Sequence, residues 1–176
     1  MMNAKSKLDS LRQIRAIAFD VDGVLTDGGV WWGPGGEEWK RFCFADIMGI
    51  SLARRAGFQL GLISGEDTPL VDRFALKMKI PYVVKGCRDK AAALHQFGVQ
   101  SVFEMHQICF MGDDVNDLQA LKIAGLSAAP SSAAAIVLDE VSLVTNRAGG
   151  NGAARELIDA LLRAQSFSVQ EVFSRP

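Results

Sequence analysis

Apolar residues in this chain follow two periods. Ile17-Ala18-Phe19, Leu60-Gly61-Leu62-Ile63 and Ile108-Cys109-Phe110-Met111 are continuous apolar runs of strand length. Between them, apolar residues recur at helical spacing and glycines punctuate the ends. Leu8, Leu11 and Ile14 predict a short helix packed on the sheet edge ahead of a first strand ending at Phe19. Helix Met48–Ala56, strand Phe58–Ser64, helix Thr68–Met78, strand Tyr82–Val84 and helix Lys90–Phe97 are expected next, with Gly57 and Gly98 in C-cap positions. The pattern continues with strand Ile108–Met111, helix Asn116–Ala124, strand Leu126–Ala128, a helix near 132–136, strand Ser142–Val144 and helix Ala153–Ala164. Such alternation predicts an α/β fold, a parallel sheet covered by helices on both faces.

One stretch breaks the alternation. Residues 28–44 carry Trp31, Trp32, Trp39, Phe42 and Phe44 around Gly33-Pro34-Gly35-Gly36, which predicts a projecting β-hairpin turning at 33–36. A lone two-stranded hairpin is marginal in water, and this one has much aromatic area with little core of its own. An exposed patch of that kind marks an interface. The chain shows neither repeat nor linker, so 1–176 reads as one domain, with the tail 166–176 loosely held.

Composition removes several function classes. With 176 residues, 49% hydrophobic content and a net charge of −1, the chain can bury one sizeable core and offers no basic surface for nucleic acid. No apolar run approaches the ~20 residues of a membrane span, and 1–15 lacks a cleavable apolar segment. Cys43, Cys87 and Cys109 lack metal-finger spacing and read as reduced residues, so the expected compartment is the cytoplasm.

The chemistry gathers at strand ends. The first strand runs directly into Asp20-Val21-Asp22-Gly23, and carboxylates at i and i+2 of an extended chain point the same way. Two such carboxylates at a buried strand end are costly unless a divalent cation with oxygen ligands neutralises them. Two further strands end in Ser64-Gly65-Glu66 and Gly112-Asp113-Asp114, with Asp117 close behind, and Lys90 opens a helix between them. In a parallel sheet all these ends lie on one edge, where open α/β sheets bind ligands. Taken singly, Asp113, Asp114 and Ser64 could equally be helix caps and Lys90 a surface lysine. Asp20 and Asp22 have no such capping role.

Together these residues resemble the four motifs of the haloacid dehalogenase superfamily of phosphatases. The Asp27-Gly28-Gly29 hairpin, Asp46 and Gly149-Gly150-Asn151-Gly152-Ala153-Ala154-Arg155-Glu156 are further similar to its small capless branch, which acts on phosphorylated 3-deoxy-ulosonic acids. The likeness runs from about Arg15 to Ala164. It implies a Rossmann-like domain and a phosphatase in which Asp20 is the nucleophile and Asp22 the general acid and base. It implies Mg²⁺ on the side chains of Asp20 and Asp113 and the backbone carbonyl of Asp22, with Asp114 and Asp117 orienting that shell. Ser64 and Lys90 would bind the phosphoryl oxygens, and Thr26, Asp46, Gly65, Glu66 and Lys77 the rest of the substrate.

Spacing leaves no room for a cap domain, because the gaps between motifs are filled by the hairpin and single helices and strands. The resemblance implies a homotetramer in which neighbouring hairpins associate and partly cover one another's sites. Two other classes share part of this pattern. A phosphorylation-receiver domain shares the aspartate, hydroxyl and lysine but has no use for Asp22, and a non-catalytic oligomerisation module would have lost a motif residue. As to substrate, octulosonate 8-phosphate phosphatases carry Gly-Arg after the second-motif hydroxyl, whereas this chain has Gly65-Glu66, as in the nonulosonate 9-phosphate phosphatases, whose helix lysine aligns with Lys77. Around Asp46 it also lacks the flanking Arg and Gly of the octulosonate form. The expected substrate is therefore 3-deoxy-D-glycero-D-galacto-nonulosonate 9-phosphate, with 3-deoxy-D-manno-octulosonate 8-phosphate as the alternative.

Overall fold

The computed structural model describes residues 4–175. Six strands form one parallel sheet: β1 (Ala16–Phe19), β4 (Gln59–Ile63), β5 (Tyr82–Val84), β6 (Ile108–Met111), β7 (Leu126–Ala129) and β8 (Leu143–Val144), in the spatial order β5-β4-β1-β6-β7-β8. The chain leaves β1 towards β4 and β5, then returns to build β6, β7 and β8 on its other side. That reversal makes the carboxyl end of β1 the topological switch point, the place where such sheets bind ligands.

Strand alternation divides the core between two faces. Ile17 and Phe19 point into one cluster with α2 (Phe44–Ala56), α3 (Pro69–Met78) and α7 (Ala153–Ala164). Ala16 and Ala18 point into the other, formed with α4 (Lys90–Ser101), α5 (Leu118–Ile123) and α6 (Ala135–Glu140). Every residue of β1 and β6 is buried, as expected of continuous apolar runs covered on both sides.

Several boundaries depart from the sequence expectation. Helix α4 does not stop at Gly98; it continues to Ser101, and Val102 takes the left-handed cap with φ 60°. Gly98 is instead a close-packing glycine, since a Cβ there would stand 2.6 Å from Met105 Cε. Gly57 is the expected left-handed cap, at φ 97°. Asn116 lies in a 3₁₀ turn, Val115–Asp117, ahead of α5, and α6 begins after 132–134. The first helix, α1 (Ala4–Gln13), packs against α7 rather than on the sheet edge, with Leu11 and Ile14 in the core; residues 1–3 lie outside the described residues. The tail is not loose: Ser168 caps α8 (Val169–Ser174), whose Val172 is fully buried among core residues beside α2. Pro176 lies outside the described residues.

The hairpin forms as expected but is shorter. β2 (Trp31–Trp32) pairs antiparallel with β3 (Glu38–Trp39), Trp31 opposite Trp39, and Gly33 N–H donates to Glu37 O at 2.8 Å to close the turn. Phe44 belongs to α2, not to the hairpin. Phe42 anchors the excursion by stacking on Phe74 with centroids 4.4 Å apart, while Trp31, Trp32 and Trp39 stay more than half exposed.

Candidate active site

Asp20 stands immediately after β1, its N–H held by Met111 O at 2.9 Å, and its side chain is buried. Lys90, the first residue of α4, reaches it: Nζ lies 3.0 Å from Asp20 Oδ1 and 2.7 Å from Asp117 Oδ1. The second oxygen of Asp117 accepts the N–H groups of Asp113 (2.9 Å) and Asp114 (3.2 Å). Asp117 thus fixes both the lysine and the loop after β6. Gly112 permits this, because a Cβ there would meet Asp117 Cγ at 2.5 Å. Gly23, at φ +81°, gives Asp113 its place in the same way, its hypothetical Cβ lying 2.0 Å from Asp113 Oδ2.

Asp20, Asp113 and Asp117 each offer an oxygen within 4.8 Å of the others. Burial, reinforced by repulsion from Asp117, raises Asp20 to about 8 in spite of Lys90. Burial together with Asp117 and Asp114 raises Asp113 to about 7. Burial disfavours the charge on Lys90, yet Asp20 and Asp117 outweigh it and its pKa is raised. The pocket therefore has one firmly charged ammonium against three crowded carboxyls. Because Asp117 is consumed by Lys90 and two backbone donors, Asp20 and Asp113 are left as a pair of hard oxygen donors whose repulsion a divalent cation would relieve. Among the described residues nothing donates a hydrogen bond to the Asp22 carbonyl, so it too fits that set. Hard oxygen donors of this kind suit magnesium.

Above these groups opens a cleft of about 330 Å³, lined among others by Asp20, Asp22, Gly65, Glu66, Lys90 and Asp113. Ser64 is fully buried and directly precedes the cleft-lining Gly65 and Glu66; its Oγ accepts Glu66 N–H at 3.1 Å, which leaves its own proton free to be donated. Asp114 is exposed and caps the 3₁₀ turn through Val115 N–H at 2.7 Å.

Three expected substrate contacts are placed elsewhere. Asp46 is buried at the start of α2, where its carboxylate accepts Gly152 N–H (3.0 Å) and Arg155 N–H (2.9 Å) at the start of α7. Thr26 is buried and internal: its Oγ1 accepts the N–H groups of Gly23 and Gly28, both at 3.3 Å, and donates to Asp22 Oδ1 at 3.4 Å. Lys77 lines a separate, mostly apolar cleft of about 270 Å³ with Phe42, Leu70 and Phe74, and lies 5.7 Å from the Phe44 ring centroid. Nor is Glu66 in a helix with it, since α3 begins at Pro69. Sequence reasoning had missed Lys40, which ion-pairs with Asp22. Alternation along Glu38, Lys40 and Phe42 could have found it, because Phe42 points inward and a residue two away shares its face.

Comparison with known proteins places this constellation. A family model described as haloacid dehalogenase-like hydrolase matches residues 70–157. The 3-deoxy-D-manno-octulosonate 8-phosphate phosphatase KdsC of Salmonella typhi is 34% identical over 152 residues, spanning 86% of this chain and 81% of that protein. The chain belongs to the haloacid dehalogenase-like hydrolases, in the ulosonate-phosphate phosphatase branch. The KdsC phosphatase of Haemophilus influenzae is 35% identical to this hydrolase, covering 90% of this chain and 88% of its own length. Among solved structures, the Moraxella catarrhalis 3-deoxy-D-manno-octulosonate 8-phosphate phosphatase, in complex with magnesium ion, phosphate ion and KDO, superposes with a TM-score of 0.90 at 30% identity, covering 93% of this chain and 94% of that one. The fold is therefore the Rossmann-like one expected, and this hydrolase is a phosphoric monoester hydrolase.

Proposed function

We propose that this hydrolase removes phosphate from a 3-deoxy-ulosonate phosphate with magnesium as cofactor, and that its preferred substrate is 3-deoxy-D-glycero-D-galacto-nonulosonate 9-phosphate. The observation carrying the chemistry is Asp20 at the switch point, in contact with Lys90 and grouped with Asp113. Asp20 and Asp113, with the Asp22 carbonyl, would hold the ion, which when bound supplies the positive charge that lets a carboxylate approach a phosphate dianion. Asp20 attacks phosphorus and forms an aspartyl-phosphate, splitting hydrolysis into two displacements. Asp22 gives its proton to the departing sugar oxygen and later takes one from the attacking water. Lys90 and the Ser64 hydroxyl hold the non-bridging oxygens, with Asp117 keeping Lys90 in place and Asp114 capping the loop.

The substrate preference rests on Glu66 at the cleft, where the octulosonate pattern has arginine. A carboxylate accepts hydrogen bonds from sugar hydroxyls, whereas an arginine fork binds a carboxylate. The second reading, octulosonate 8-phosphate, is favoured by the named relatives and solved structure above. Phosphate release from both esters in magnesium decides between them; a higher kcat/KM on the octulosonate ester would overturn the preference while leaving the ulosonate-phosphate assignment intact.

Among the described residues no domain caps the cleft, and the exposed Trp31, Trp32 and Trp39 support assembly into a homotetramer through the hairpins. In that assembly Lys77 would face a neighbouring subunit rather than its own Asp20. No helix among the described residues is long and apolar enough to cross a membrane. The same proposal makes the protein a cytoplasmic enzyme of sugar-acid synthesis.

A further inference from the structure

Asp22 is held by a residue of the hairpin. Lys40 follows β3, and its Nζ lies 2.9 Å from Asp22 Oδ1 and 3.0 Å from Oδ2, bridging the whole carboxylate. Only 3% of the Lys40 side chain is exposed, against 29% for Asp22. The ammonium also lies 3.5 Å from Glu38 Oε1, and Thr26 Oγ1 adds a contact to Asp22 Oδ1 at 3.4 Å. Arg41, the next residue, ties the same strand to the site loops through Asp27 Oδ2 (3.0 Å) and Asn151 Oδ1 (2.8 Å). The hairpin is thus fastened to the loop that carries Asp20 and Asp22.

We propose that Lys40 is a positioning residue for the general acid, setting the direction in which the Asp22 carboxyl faces the leaving oxygen. The proposal rests on the assignment of Asp22 as acid and base. A lysine so enclosed cannot reach a substrate directly, because its side chain is almost wholly covered and its donors are already directed at Asp22 and Glu38. Asp22, by contrast, lines the cleft and is open to it. An aspartate side chain on a glycine-flanked loop has two free torsions, and removing its only ion-pair partner among the described residues would let it turn from the leaving group. Misplacing a catalytic group by about 1 Å can cost about a hundredfold in rate. Lys40 also makes hairpin packing and acid geometry parts of one unit, so what settles the hairpin settles Asp22.

The test separates leaving groups. A sugar alkoxide needs a proton to depart, whereas p-nitrophenolate does not. First-turnover release of the leaving group is measured in magnesium for a 3-deoxy-ulosonate phosphate and for p-nitrophenyl phosphate, using wild type, Lys40→Met, Lys40→Arg and Asp22→Asn. Lys40→Met should slow release from the sugar ester by about tenfold to a hundredfold with little change in KM, while release of nitrophenolate falls less than about threefold. Lys40→Arg keeps a cation opposite Asp22 and so guards against loss of folding; it should show the same split at smaller size. If Asp22→Asn shows the split and neither Lys40 variant does, the positioning role is overturned and the acid assignment stands. If Asp22→Asn slows both esters equally, the acid assignment fails and the role of Lys40 falls with it.

Discussion

Asp46 and Arg155, 109 residues apart in sequence, are joined by a hydrogen bond of 2.9 Å from the Arg155 N–H to Asp46 Oδ1, while Oδ2 takes the N–H of Gly152. Helix α7 has no side-chain cap of its own at Gly152. Asp46 supplies one from α2, and the two helices pack so closely that a Cβ on Gly49 would stand 3.0 Å from Arg155 Cα. A carboxylate at a helix N-terminus satisfies unpaired donors and opposes the helix dipole. Asp46→Ala should therefore cost on the order of 2–4 kcal/mol of stability, because it strands one buried and one partly buried donor. Chemical denaturation is the measurement, together with KM; a KM that rises while stability holds would return Asp46 to the substrate.

Replacing Asp20, the proposed nucleophile, should separate chemistry from fold. Asp20→Asn keeps the shape but removes the attacking oxyanion, so turnover should vanish, and it also removes one of three crowded carboxylates. The metal-free variant should melt no lower than metal-free wild type at pH 8. Near-normal phosphate release by the purified variant would sink the aspartyl-phosphate route.

The same crowding gives a pH dependence. Asp20 is raised from 3.8 to about 8 and Asp113 from 3.8 to about 7 without metal. The folded chain then binds more protons than the unfolded chain between about pH 4 and 8, so these groups make the apoprotein less stable as pH rises through that window. Magnesium replaces the protons, and should bind more tightly at pH 8 than at pH 6, release protons on binding and offset the stability loss. Calorimetry in buffers of different ionisation enthalpy reads the proton release. Pairing magnesium affinity with no proton release would show that the ion does not sit between Asp20 and Asp113.

The motifs on strand ends could be read from the sequence because their positions follow from chain order: once Phe19, Ile63 and Met111 end parallel strands, Asp20, Ser64 and Asp113 must share an edge. Residues acting across the chain could not. Nothing local distinguishes Asp46, which caps a helix 106 residues away at Gly152, from a substrate ligand, and Thr26 looks like a loop hydroxyl until the backbone folds around it. Gly98 resembled a cap because glycine has two uses, positive φ and close approach, and composition cannot tell them apart. The tail looks loose in sequence because two scattered apolar residues, Phe167 and Val172, tie it to the core rather than a periodic run. Lys77 was assigned by likeness alone, and within one subunit it faces Phe44 and the second cleft.

Assembly should depend on the tryptophans. Trp32 is 77% exposed and Trp31 55%, on strands of two residues each that could not hold such a surface alone. Replacing both with Ser should shift sedimentation towards smaller species and lower specific activity at low concentration. A wild-type monomer by sedimentation would remove the hairpin interface from the proposal.

Substrate choice should sit at Glu66. Contacts away from the phosphate decide which sugar is held in line, whereas the phosphate contacts are common to both esters. With the phosphate fixed by Lys90, a nine-carbon acid places its carboxylate farther out than an eight-carbon one and presents more hydroxyls near the cleft wall where Glu66 stands. Glu66→Arg exchanges an acceptor for a carboxylate-binding fork. It should lower kcat/KM for the nonulosonate 9-phosphate relative to the octulosonate 8-phosphate by about tenfold, the scale of one lost polar contact, with hydrolysis of p-nitrophenyl phosphate little changed. Lys77→Ala should alter the same ratio only in the assembled protein if, in the proposed tetramer, this residue meets a neighbour's site; within its own subunit it lines the second cleft. An unchanged ratio in Glu66→Arg would remove Glu66 from substrate selection and leave the catalytic assignment to stand on Asp20, Asp22 and Lys90.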